Sequence, residues 1–300
     1  MMDLGRLRAL HAVAVHGSVG GAAAALGFTP SAVSQQISKL ERETRTVLLE
    51  KQGRGVVLTD AARHLADTAR QVLALVEQAE VTLEEQRGEA VGRLLVASFA
   101  TAARGLLPGV LAELRGSCPD LDVRLLETDP YLANELVARG EADLAVVQDW
   151  TTVPLPVQDG LSRLDLGEDP VDLLLPAGHP LGELAVVPVA RLCGQRWISV
   201  PPGNICHDWL VRTMREAGEE PDVVHQVGEF ETQIALIDAG LGLGLVPRLG
   251  RGPLPPGVLA RPVVPEPSRR VYALWRTRTS RRPAITAALD ALRDHWARRT

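Results

Sequence analysis

The residues best suited to chemistry stand together between positions 29 and 39. Thr29, Ser31, Ser34, Gln35, Ser38 and Lys39 bring hydroxyls, a carboxamide and an ammonium within helical reach of one another. Such side chains are poor core material but good donors and acceptors. A glutamine can hold adenine through two hydrogen bonds, worth about 1–3 kcal/mol of discrimination. Serines near a helix start can meet phosphate, where the helix dipole also helps. The chemistry on offer is recognition of DNA. Elsewhere the chemical signals are weak. Cys118, Cys193 and Cys206 form no disulfide framework and no metal spacing. The seven histidines show no zinc motif. Gly240, Gly242 and Gly244 alternate without a phosphate-loop pattern. No nucleophile elbow or other catalytic spacing occurs. No enzyme, metal or cofactor is therefore expected. Cys206 could sense oxidants, but no resolving cysteine stands near it in sequence, so an inert buried thiol is the reading.

Those recognition residues need a scaffold. Residues 4–15 carry a helical stripe of Leu7, Leu10, Val13 and Ala14, ended by Gly17. Ser18 caps a second helix whose small residues at 20–25 allow close approach, and Gly27 closes it. Phe28 is expected to plug the core. Thr29 caps and Pro30 opens a third helix over residues 30–42, with Val33, Ile37 and Leu40 inward. A merely solvated polar helix is the alternative, but a short helix, a three-residue turn and a capped helix together indicate a helix-turn-helix. Residues 48–59 then suggest two short strands around Gly53, Arg54 and Gly55. That is a wing with Arg54 at its tip, suited to a narrow minor groove, or else a hairpin with a solvated arginine. Residues 60–87 lack Gly and Pro and repeat Leu65, Ala69, Val72, Val76, Ala79 and Leu83 at coiled-coil spacing. Such a rod, about 42 Å long, predicts a homodimer. Packing against the chain's own body is the alternative.

At this point the sequence resembles the LysR-type transcriptional regulators, over almost its whole length. The resemblance rests on Gly17-Ser18, Ala22-Ala23, Leu26, the run from Thr29 to Ile37, Leu40-Glu41 and Val57-Leu58-Thr59. It implies that Pro30, Ser31, Ser34, Gln35 and the wing residue Arg54 contact DNA. The chain departs from the family at Thr44-Arg45 (usually Leu-Gly), Leu49 (Phe), Lys51 (Arg) and Ala62 (Gly). Arg45 at a helix end lacks the freedom of glycine, at a cost near 1 kcal/mol.

The remainder alternates strand-like segments (93–98, 121–127, 143–147, 170–175, 197–200, 243–246, 270–275) with helical ones (106–115, 131–139, 208–217, 232–239, 283–298). Its first β-α-β-α-β run predicts a parallel sheet. The pattern resembles the family's effector domain. The expected fold is therefore multidomain: a mainly α winged helix-turn-helix over 1–59, a linker and dimerisation helix over 60–88, and an α/β, two-lobed, periplasmic-binding-protein-like effector domain over 89–300. Lobe I would hold 89–162 plus 268–300, and lobe II 163–267. Ligands in such folds sit beyond the carboxyl ends of strands. This points to Ser98, Phe99, Thr101, Thr128, Pro130, Gln148, Trp150, Pro201, Gly203 and Asn204. The resemblance implies that Thr101, Pro130 and residues 201–204 line the effector cleft. Ser98 and Thr101, ahead of the helix at Leu106, suit a small carboxylate; plain helix capping is the alternative. Phe99 and Trp150 could wall the site or plug the lobe interface.

Charge fits this division. The net charge is −5, with +2 over residues 1–60 and +7 over 267–300, leaving −14 for the rest. A mildly basic head can bind DNA locally, because charges beyond about 10 Å are screened. The basic C-terminal segment is expected to be a solvated surface. No run of 18 apolar residues and no signal peptide are present, so a cytoplasmic protein without membrane contact is expected. Its expected partners are double-stranded DNA, a small-molecule effector and further copies of itself, as homodimer or homotetramer. An enzyme with a DNA-binding domain attached and a ligand-independent architectural protein are the rival classes.

Overall fold

The computed structural model describes residues 2–53 and 55–299, and the chain divides into two units between Leu83 and Glu84. In the first unit, α1 (Leu4–His16), α2 (Val19–Leu26) and α3 (Pro30–Thr44) are each opened by a side-chain cap. Asp3 accepts from the Arg6 amide, Ser18 from Gly21 and Thr29 from Ala32. Each such cap contributes about 1 kcal/mol. Gly17 and Gly27 end α1 and α2 in the left-handed region, at φ 66° and 67°. Leu7, Leu10, Val13, Ala22, Val33, Ile37 and Leu40 form the core. Phe28 is not part of it, against expectation. Its amide bonds Ala23 O at 2.9 Å to close the turn after α2, and its ring stays 58% exposed. Leu48 and the small residues Ala62, Ala66 and Ala69 fill the core instead.

Arg45 ends α3 at φ 53°, ψ 35°, in the left-handed region that glycine adopts freely. A Cβ there costs roughly 1–2 kcal/mol, against which glycine loses some unfolded-state entropy. We expect Arg45→Gly to raise stability by about 0.5–1 kcal/mol, read as a higher midpoint in thermal unfolding. Beyond this turn the Glu41 carboxylate accepts the amides of Leu48 (2.8 Å) and Leu49 (3.2 Å). It thereby ties α3 to an antiparallel hairpin of β1 (Leu49–Gln52) and β2 (Gly55–Leu58). Arg54 lies outside the described residues.

The long helix α4 spans Asp60–Arg87, 28 residues. Its expected seam is not uniform. Leu65, Ala69 and Val72 pack on the helix-turn-helix core of the same chain, because Ala62, Ala66 and Ala69 let α4 come close. Farther along, Val76 is half-buried, Ala79 is exposed and Leu83 is 55% exposed; Leu75, which is not part of that seam, is 66% exposed.

In the second unit the chain runs β3 (Gly92–Ser98), α5 (Ala100–Gly105), α6 (Leu107–Ser117), β4 (Leu121–Glu127), α7 (Pro130–Arg139), β5 (Leu144–Trp150), β6 (Leu161–Pro176), β7 (Val187–Pro188) and β8 (Arg196–Ser199). It continues α8 (Ile205–Glu216), β9 (Asp222–Gln226), α9 (Phe230–Asp238), β10 (Gly244–Pro247), β11 (Val258–Val264), β12 (Ser268–Arg276) and α10 (Pro283–Ala297). The main sheet has the order β4-β3-β5-β12-β6-β11-β7, with β10 also on β6. Strands β3, β4 and β5 are parallel as expected, but β12 joins antiparallel to both β5 and β6, so the sheet is mixed. Strand β6 pairs with β12 as far as Pro170, then with β10 and β11 from Val171 onward. One continuous strand thus serves both lobes. The helix expected over 106–115 is α6, and a short helix that was not expected, α5, precedes it, starting directly after Phe99.

Candidate DNA-reading face and interlobe seam

In α3 the spacing that buries Val33, Ile37 and Leu40 leaves Thr29, Pro30, Ser31, Ser34, Gln35, Ser38 and Lys39 exposed. The six described residues expected to meet DNA are therefore all exposed, Thr29 to Gln35 over the helix start and Lys39 one turn beyond Gln35. The Thr29 hydroxyl is committed locally. It accepts the Ala32 amide at 3.2 Å and lies 3.0 Å from the Ser31 hydroxyl. Its role is to hold the helix start, and Pro30 occupies the first turn.

In the second unit, the expected cleft residues gather where β3 and β5 end against the start of α8. Gln148 and Trp150 were expected beyond the end of β5. They lie within it, because β12 pairs along its full length and matches Arg269 to Trp150. Gln148 Nε2 donates to Cys206 Sγ at 3.4 Å. Trp150 stacks on Trp209 of α8, with ring centroids 3.8 Å apart and planes 9° from parallel. Asn204 caps α8 by accepting the Cys206 amide at 2.9 Å. Pro130 is buried at the first turn of α7, capped by Asp129. Tyr131 Oη donates to Asp208 at 3.1 Å, so the starts of α7 and α8 are joined, while Asp129 Oδ2 is buried without a hydrogen-bond partner among the described residues. The Thr128 amide bonds Ser98 O at 2.9 Å. Pro201 and Gly203 stay exposed.

The seam is tightly closed. Its cavity, lined in part by Trp150, Ser199, Cys206, Trp209, Phe230 and Gln233, measures about 20 Å³, room for one water. On one side Arg104 of α5 donates to Gly250 O at 2.6 Å and pairs with Glu231 of α9 at 3.0 Å. Burial shapes the titratable groups. It pushes the Asp129 carboxyl above its ordinary value, against the hydrogen bond from Tyr131 and the nearby Ile205 amide. Burial and the bond to Asp208 push the Tyr131 hydroxyl up to about 12. Burial pushes the Cys206 thiol up as well, with Arg269 opposing. A thiol kept protonated is a poor nucleophile.

Two sequence profiles match this chain. The LysR substrate binding domain matches residues 87–297, and the bacterial regulatory helix-turn-helix protein, lysR family, matches residues 4–63. The chain belongs to the LysR-type transcriptional regulators. Among its relatives, the probable HTH-type transcriptional regulator LrrA of Synechococcus elongatus is 30% identical over 98% of this chain and 97% of its own. The HTH-type transcriptional regulator XapR of Escherichia coli is 30% identical over 97% of each. Among solved structures, a full-length OxyR variant from Pseudomonas aeruginosa superposes with a TM-score of 0.70 at 23% identity, covering 98% of both chains.

Within this LysR-type regulator the ligand-facing expectations need correcting in three places. Neither Ser98 nor Thr101 caps a helix. Phe99 takes the cap position of α5 without a side-chain bond, and Ser98 donates to Phe99 O at 3.3 Å. Thr101 sits inside the short α5, and its hydroxyl already accepts from Arg269. The helix start meant for a carboxylate is therefore not what stands there. The second correction is the basic C-terminal segment, which is not simply a solvated surface. Arg269 is 1% and Arg276 3% exposed. Arg269 pairs with Asp169 at 2.8 Å and its guanidinium lies 4.8 Å from the Phe99 ring centroid. Arg282 ties Glu84, at the end of α4, to Asp143 with bonds of 2.7 and 2.8 Å. The third is Trp150, which both lines the cavity and fills the seam. The residues that sequence reading missed are Trp209, Asp129, Asp169 and Arg269. The pairing of Arg269 with acidic neighbours on β6 gave no local signal, since the two are 100 positions apart.

Proposed function

We propose that α3 reads an operator through Ser31, Ser34 and Gln35. Thr29 and Pro30 set the approach, Lys39 meets a phosphate and Arg54 enters the neighbouring minor groove. The observation that carries this reading is the exposed polar face standing directly over the buried Val33, Ile37 and Leu40. Footprinting of a Ser34→Ala/Gln35→Ala variant tests it. Residues 1–59 would form the DNA-binding domain, 60–88 the linker and dimerisation helix, and 89–300 an effector domain whose lobes close on a small molecule. That molecule acts by binding one arrangement of the subunits more tightly than another, since equal affinity for both would shift nothing. The protein works in the cytoplasm, without enzymatic activity of its own.

The assembly is a homodimer or homotetramer, supported by the apolar side chains that α4 leaves uncovered. Leu75 and Leu83 are the large ones, and a partner helix would bury both. We expect Leu75→Glu/Leu83→Glu to shift sedimentation toward the monomer with the helix content unchanged. An unaltered sedimentation profile refutes this interface.

A further inference from the structure

We infer that the interlobe seam takes a flat, uncharged aromatic ring that carries both a hydrogen-bond donor and an acceptor, inserted between Trp150 and Trp209. The inference rests on reading the seam as the effector site and names the class of ligand. The two indoles approach it from opposite sides, Trp150 from the end of β5 and Trp209 from α8. At 3.8 Å between centroids and 9° between planes they stand nearly face to face. Ring quadrupoles disfavour that arrangement against offset or edge-on pairs at about 4.5–7 Å. Parting the indoles therefore gives up little specific attraction. A ring placed between them gains two faces, each free to offset. The adjoining cavity of about 20 Å³ is too small for any ring, so binding and parting must occur together.

Polar atoms specify the rest of the ligand. Trp150 Nε1 and Gln148 Oε1 are buried without a hydrogen-bond partner among the described residues. Their residues are 2% and 1% exposed. An unpaired buried donor or acceptor costs about 1–3 kcal/mol. A ligand that offers an acceptor to the indole and a donor to the glutamine removes both costs. Turning the Gln148 amide over leaves Nε2 unpaired in place of Oε1. A group with both functions, such as a carboxamide, answers either orientation.

Charge sets the class. The guanidinium of Arg269 is already held by Asp169 and Thr101. Asp129 and Asp208 stand at the joined starts of α7 and α8. A carboxylate entering here meets acidic neighbours and a cation whose charge is already matched. An unpaired buried charge is costly, and an uncharged ring avoids that cost.

Calorimetric titration of the full-length protein with three probes tests this. Nicotinamide and nicotinate share a ring and differ in charge. Cyclohexanecarboxamide keeps the amide and loses the flat ring. The expected result is saturable binding of nicotinamide, at least about tenfold tighter than either other probe. Trp209→Leu should weaken nicotinamide by a similar factor, and Gln148→Leu by roughly fivefold, with circular dichroism checking that both variants fold. Nicotinate binding as tightly as nicotinamide, and losing affinity in Trp209→Leu, removes the uncharged class but keeps the seam as the ligand site. Binding of either ring that ignores both substitutions removes the seam as well. Absence of saturable nicotinamide binding overturns the proposal.

Discussion

Replacing Ser34 and Gln35 together with alanine should abolish specific operator binding while leaving the protein folded. Both side chains are exposed on α3, one turn past its cap, and neither contributes to the core. Surface substitutions of this kind change stability by no more than about 0.5 kcal/mol. A bidentate glutamine–adenine contact is worth about 1–3 kcal/mol, and the serine adds a further hydrogen bond. Together they predict a loss on the order of 30-fold or more in operator affinity. Lys39→Ala should behave differently. A phosphate contact carries no sequence information, so binding weakens about equally on all sequences and the salt slope falls by roughly 1. Gel-shift titrations on promoter and random DNA, repeated at several salt concentrations, separate the two effects. An intact footprint in the double variant refutes the assignment of these residues.

Much of this molecule was legible in the sequence, because its signals are local. The caps at Ser18 and Thr29, the glycines at 17 and 27, and the Val33, Ile37 and Leu40 stripe each act within one or two turns. Helix α4 was readable over its full length for the same reason: nothing in residues 60–87 interrupts a helix. Phe28 was misplaced because whether a ring enters a core depends on what else fills it, here Leu48 and three alanines of α4. The mixed sheet was missed because β12 lies far along the chain from the strands it joins. The candidate site fared in the same way. Two of its residues, Gln148 and Trp150, were found from the end of one strand. What faces them is Cys206 and Trp209, brought in by tertiary packing. Arginines counted only as surface charge became interior groups once β12 was placed between two strands that carry acids.

That burial makes Asp169→Ala the most destabilising substitution we expect in the second unit. Asp169 is the carboxylate partner of Arg269, both nearly inaccessible to water, and its other oxygen accepts the Leu249 amide at 2.7 Å. Removing it strands a buried guanidinium and a buried amide, at a cost of about 3–5 kcal/mol. Asp169→Asn should cost less, since it still offers an acceptor to Leu249. The pair as a whole is another matter. Taking two ions out of water is expensive, so exchanging both for apolar groups of similar volume need not destabilise. We therefore expect Asp169→Leu/Arg269→Met to recover a large part of what Asp169→Ala loses. Urea unfolding followed by tryptophan fluorescence measures this cleanly, because all five tryptophans lie in the second unit. A double variant as unstable as Asp169→Ala would show that Arg269 contributes mainly through Thr101 and Phe99. The ion pair would then be secondary to the contacts that hold β12 against the seam.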